Sequence, residues 1–152
     1  MKRSLASAMV TLVAAACSGE PLPHSQHDVH LDDDFKGCPP ETPVFGPGIE
    51  AKGARTHVRL VSAEPPEPER YENDWVVELS EPTLQLVRAQ TFMPVHGHDG
   101  RVVPELTPLG QPGQVAVDRL NFTMRGPWEV RLWLQSPSME EDYVVFEVCV
   151  AK

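Results

Sequence analysis

The sequence has no apolar run long enough to cross a bilayer as a helix. Its longest, Leu5 to Ala16, holds twelve residues, whereas a span needs roughly twenty, so no retained transmembrane helix is expected. Basic charge is scarce as well: 13 Lys and Arg stand against 22 Asp and Glu, a formal net charge of -9. That balance argues against nucleic acid as a partner and against a polybasic grip on anionic lipid. The chain carries no nucleophile motif, phosphate-cradling glycine loop or zinc-hydrolase helix. Its acidic residues between Glu64 and Glu81 read as a solvated surface rather than a paired acid and base. An enzyme is therefore not expected. Internal repeats are lacking, and no segment has the period of a long helix.

The N-terminus does carry a signal. Lys2 and Arg3 precede the apolar run, and small residues lead into a cysteine, which together make the charge, apolar core and cleavage site of a secretory signal. Val13-Ala14-Ala15-Ala16-Cys17 is similar to the lipobox of bacterial lipoproteins, in which the cysteine is acylated and becomes the first residue, although leucine is commoner where Ala14 stands. Ordinary cleavage after Ala16, leaving a free Cys17, is the alternative. Several acyl chains on one residue anchor a protein stably, at roughly 0.8 kcal/mol per buried methylene. Ser18, not aspartate, follows the cysteine. By resemblance to the sorting rule of Gram-negative lipoproteins, this implies the periplasmic face of the outer membrane if the envelope is of that type. The membrane is then a partner through the lipid. Removing Lys2 and Arg3 with no acidic residue takes the formal charge from -9 to -11.

Only three cysteines are present. With Cys17 assigned to lipid, Cys38 and Cys149 remain as an even pair in an oxidising compartment, which reads as a disulfide. Closing so long a loop is worth about 4 to 5 kcal/mol in the chain-entropy model. Two unpaired buried thiols are the other reading.

Residues 1–16 are thus expected as a lipoprotein signal peptide, 17–55 as a tether and 56–152 as the folded domain. The tether interleaves Pro21, Pro23, Pro39, Pro40, Pro43 and Pro47 with Gly37, Gly46, Gly48 and Gly53. Such a composition buries too little apolar surface to offset its ordering entropy. From about Thr56 the pattern changes to short runs of alternating apolar residues broken by proline and glycine, which predicts an all-β fold, a small immunoglobulin-like antiparallel β-sandwich. Val58 and Leu60 mark one strand, and Trp75, Val77 and Leu79 a second. A third runs from Leu84 to Met93 with Val87, Ala89, Thr91 and Met93 on one face, and its phase slips near Leu86, predicting a bulge. Val102 to Leu106 reads as a short strand and Val115 to Met124 as a longer one. Trp128, Val130, Leu132 and Leu134 face the core from the next. In the last, Val144, Phe146, Val148 and Val150 do so, with Cys149 on the opposite face.

Five of the six histidines fall in two groups. His24, His27 and His30 precede Asp32, Asp33 and Asp34 in the tether, a donor set that suits Cu(II), Zn(II) or Ni(II) and equally an ordinary polar linker. Met93-Pro-Val-His96-Gly-His98-Asp-Gly100 ends a strand, where Gly97 and Gly100 permit a tight loop, and Met124 ends another. With the short strand near Val102 in place, Met93 and Met124 come to the same end of the sandwich. Without it they lie at opposite ends. Two imidazoles with one or two thioethers suit Cu(I), and the imidazoles alone Cu(II). Core filling by the methionines and backbone hydrogen bonding by the histidines are the structural alternatives. Lone His57 reads as a surface residue, and Asn121-Phe-Thr123 matches a glycosylation acceptor set within a strand.

Met93-Pro94-x-His96-Gly97-His98 followed by Phe122-x-Met124-x-Gly126-x-Trp128 resembles the YtkA-like domain of bacterial envelope proteins, related to FixH-like proteins, over roughly residues 75–135. The resemblance implies an immunoglobulin-like sandwich, often lipid- or membrane-anchored, in the company of copper-handling envelope proteins. Carried over, it implies His96, His98, Met93 and Met124 as a copper site. Asp99 stands where many relatives have another glycine, either as an added oxygen ligand or as a turn cap. A non-metal protein-interaction module of the envelope is the competing expectation.

Overall fold

The computed structural model describes residues 37–152. Alternate side chains of an extended chain point to one face, and the described chain forms nine strands wherever apolar residues keep that period. They are β1 (Glu50–Lys52), β2 (His57–Glu64), β3 (Tyr71–Leu79), β4 (Gln85–Met93), β5 (His98–Asp99), β6 (Glu105–Pro108), β7 (Gln114–Phe122), β8 (Gly126–Ser136) and β9 (Met139–Val150). No helix occurs among the described residues. All pairings are antiparallel. One sheet has the order β1-β2-β3-β7-β6 and the other β5-β4-β8-β9. Apart from β1, this is the A-B-E-D against C′-C-F-G order of immunoglobulin sandwiches.

The expected core rows are the observed ones. Val58 and Leu60, Trp75 to Leu79, Trp128 to Leu134 and Val144 to Val150 bury alternate side chains in a single cluster. Phe45 packs on Trp75 at 5.2 Å between ring centres, and Trp75 meets Phe146 edge-on at 5.7 Å. These contacts carry apolar packing from the N-terminal segment through one sheet into the other.

Four details differ from the sequence expectation. Val87 is 42% exposed while Leu86 is buried. The pairing of β4 with β8 shifts between Leu86 and Arg88, so Val87 is the extra residue of the bulge and the inward phase passes from Leu86 to Ala89. The short strand lies at Glu105–Pro108, not 102–106, and pairs with β7 in the other sheet. Strand β7 ends at Phe122, which leaves Met124 in the link to β8. The folded unit also begins before residue 56: β1 pairs with β2, Ala51 is buried, and Phe45 and Ile49 pack on the core. Dispersed prolines masked this, because one aromatic side chain can dock a segment whose average composition is that of a linker.

Two long-range ties close the N-terminal side. Cys38 and Cys149 form a disulfide with Cα atoms 5.7 Å apart. Buried Asp142, near the start of β9, receives the backbone N–H groups of Ala54, Arg55, Thr56 and Tyr143 at 2.9 to 3.2 Å, and also the Thr56 hydroxyl. One carboxylate thereby satisfies the peptide donors of the β1–β2 link from across the sandwich.

Candidate metal centre

The β4–β5 hairpin carries the second histidine group. Its loop, residues 94–97, closes because the Met93 carbonyl accepts from both His96 N (3.2 Å) and Gly97 N (2.8 Å), which brings His98 back opposite Met93. Gly97 has φ 66°, the left-handed region where a side chain is strained. Gly100 then donates its N–H to the Thr91 carbonyl at 2.9 Å. A Cβ at Gly100 would collide with the Thr91 hydroxyl and the Asn121 carbonyl, two groups hydrogen-bonded to each other between the sheets at 2.9 Å. The hairpin is seated by this close approach. We expect Gly100→Ala to cost about 3 kcal/mol, the upper end of overpacking penalties, and to shift the His96 and His98 side-chain resonances; thermal denaturation and NMR check both.

His96 and His98 flank Gly97 and project to the same side. Their rings lie 5.9 Å apart, inclined by 26°. His96 is exposed and His98 half-buried, with its ring against Trp128 at 5.7 Å and 73°. His98 Nδ1 lies 3.1 Å from the Asp99 carbonyl oxygen. A carbonyl only accepts, so Nδ1 is the donor in this contact, as in orienting contacts of metal-bound histidines. Asp99 thus serves the hairpin through its backbone.

All four residues read as soft ligands reach one end of the sandwich, but they are presented differently. Met93 is 2% exposed and belongs to the core. Met124 is partly buried against that core, and its carbonyl accepts from Trp128 Nε1 at 3.0 Å. The accessible donors are the imidazoles. Imidazole nitrogen binds a metal at about 2 Å, so ring centres sharing one ion lie within roughly 6 Å, a limit that the 5.9 Å separation meets. Imidazole suits copper, zinc and nickel alike. Among the described residues no three His, Cys, Asp or Glu side chains converge as a metal site.

His57 is exposed on β2, whose first residues pair with the last of β3, at the end away from the hairpin. Asn121 is only 8% exposed, which disfavours it as a glycosylation acceptor. Cys17, His24, His27 and His30 lie outside the described residues. Sequence reasoning missed the Thr91–Gly100–Asn121 seat and the Trp128 contact with His98. Trp128 stood in the quoted motif, but nothing in one sequence distinguishes a core tryptophan from one that also borders a site.

Fold and site together define a small immunoglobulin-like sandwich presenting two neighbouring imidazoles on the hairpin between its fourth and fifth strands. No known protein family matches the chain, and no curated protein matches it either.

Proposed function

We propose that this protein binds or relays copper at the cell envelope, held there by acylated Cys17, with His96 and His98 as its folded ligands. The observation that carries the reading is the pairing of exposed His96 with half-buried His98, 5.9 Å between ring centres, with one ring oriented through Nδ1. The resemblance to YtkA-like domains supports the choice of copper among the metals that imidazole suits. Met93 stabilises the hairpin from inside the core and becomes a ligand only if its thioether leaves that core.

Removing the orienting partner of a metal-bound histidine typically costs 10- to 100-fold in affinity, and removing the ligand itself costs at least as much. His96→Ala and His98→Ala should therefore each weaken Cu(II) binding by at least about tenfold in competition titrations. Unchanged affinity in both would refute the folded site. The anchor has its own test: Cys17→Ala is expected to move the protein from the membrane fraction to the soluble one, and retention in the membrane would overturn it.

A second reading draws on one observation. Val95, at the tip of the same hairpin, is 68% exposed, as a residue contacting a protein partner would be. A purified full chain that contains no copper and shows no thermal shift with Cu(I) or Cu(II) favours that interaction module over the copper reading.

A further inference from the structure

The end of the sandwich away from the histidine hairpin holds a cavity of about 490 Å³. We propose that this cavity binds an uncharged small molecule with an apolar body and a hydrogen-bonding group, at a site separate from the imidazole pair.

Topology leaves the cavity open on one side. Strand β6 ends its sheet, and β5 covers β4 only at Phe92 and Met93, so β4 is an outer strand from Gln85 to Gln90. The cavity lies along these two outer strands, walled by Leu84 and Leu86 at the start of β4 and by Leu106 and Val115 of β6 and β7. Its volume falls within the roughly 300 to 1,000 Å³ of small-ligand sites. At about 30 Å³ per water-sized group, it has room for on the order of fifteen such groups.

The walls are preformed. Leu79, Leu84, Leu86 and Val115 are each at most 9% exposed and belong to the core. Backbone hydrogen bonds close the two links that complete the lining. In the β6–β7 link, Leu109 N donates to the Gln114 carbonyl at 2.9 Å and Gln114 N to the Gln111 carbonyl at 3.1 Å, while Leu79 N on β3 donates to the Gly113 carbonyl at 2.8 Å. Gly113 has φ 79°, and a Cβ there would press on the Leu79 carbonyl oxygen at 3.3 Å, so glycine is required where the link meets β3. In the β3–β4 link, Leu84 N donates to the Glu81 carbonyl at 3.1 Å. Pro82, Pro108 and Pro112 stiffen the same walls by fixing φ. A site ordered before binding loses less conformational freedom when it is filled.

The lining also selects the ligand. The chain carries 22 acidic and 13 basic residues, yet no charged side chain lines this cavity. An ion entering it would give up water without gaining a counter-charge, which disfavours carboxylates, phosphates and ammonium groups alike. Gln85, Gln111 and Gln114 supply the polar part of the lining, and no side-chain hydrogen bond among the described residues engages them. A carboxamide both donates and accepts, so these three match an amide, hydroxyl or carbonyl on the ligand. The leucines and Val115 then cover its apolar body.

The test compares two probes that share one skeleton. N-phenyl-1-naphthylamine is uncharged with a single N–H, and 1-anilinonaphthalene-8-sulfonate adds a sulfonate. Titration of the full chain with the neutral probe is expected to give emission that saturates at about one equivalent, with the sulfonate bound at least about tenfold more weakly because its charge finds no partner. Leu109 is 38% exposed and lines the cavity. Leu109→Glu, which sets a carboxylate there, and Leu106→Trp, which fills the space, should each weaken the neutral probe by at least about tenfold, with thermal denaturation as the folding control. The exposed position of Leu109 keeps the test decisive if Leu106→Trp does not fold. Absence of saturable emission with the neutral probe, equal affinity for the sulfonate, or unchanged affinity in either folded variant overturns the site. Copper enters none of these outcomes, so they leave the copper reading untouched.

Discussion

Replacing Asp142 with alanine is expected to lower the unfolding free energy by about 3 to 5 kcal/mol, read from urea denaturation at neutral pH. Five donors converge on this carboxylate, and the residue is 7% exposed. Hydrogen bonds to a charged group contribute roughly 1.5 to 3 kcal/mol, and a buried donor left without a partner costs about 1 to 3. Part of the loss is recovered where water reaches the half-exposed Ala54 and Arg55 amides, so the total stays below the sum over donors. Gly53 adds a constraint, because a Cβ there would strike the Asp142 carboxylate and the Tyr143 carbonyl. The same residue sets an acid limit. Burial by itself raises the Asp142 carboxyl, but hydrogen bonds from Arg55 N, the Thr56 hydroxyl, Ala54 N and Tyr143 N outweigh it and hold the group below the ordinary 3.8. A folded pKa below the unfolded one means that the stabilisation is complete above about pH 4 and is lost as pH falls through the lowered folded value. Asp142→Asn should flatten that part of the stability profile. A stability unchanged by either substitution would show that the clamp is dispensable.

Cys38→Ser/Cys149→Ser is expected to cost about 4 kcal/mol, close to the chain-entropy value for a loop of about 100 residues. The bridge spans 111 residues of separation, so its removal expands the denatured chain and should raise the urea m-value as well as lower the midpoint. It also frees the segment that presents Phe45 to Trp75. Denaturation of reduced and oxidised wild type gives the same comparison without substitution. Equal midpoints would contradict the assignment.

The sandwich was legible because period-two burial is a strong local signal. Trp128, Val130, Leu132 and Leu134 sit on a buried face of one strand for the same reason that they alternate in the sequence. The pairing of Cys38 with Cys149 followed from assigning Cys17 elsewhere. Long-range polar chemistry was not legible. Asp142 looks like one more acid in the run Glu140-Glu141-Asp142, and only the fold brings the Ala54–Thr56 amides onto it, 86 to 88 residues away in sequence. Val87 shows the limit of pattern reading at a bulge: the slip near Leu86 was visible, but which residue it ejects depends on the partner strand. At the site, glycine spacing indicated a tight loop and the histidines marked the chemistry. That Met93 faces the core while His96 faces solvent is a consequence of the turn, which composition does not encode.

The pair's affinity for copper is tested most directly by tryptophan emission. Trp128 lies 5.7 Å from His98, so Cu(II) held by the two imidazoles must quench it. Titration of the full chain is expected to give a saturable loss of emission complete at about one equivalent, abolished in His96→Ala/His98→Ala and largely absent in Trp128→Phe. Emission that stays constant with added copper, or that falls equally in the doubly substituted chain, would contradict a copper site on this hairpin.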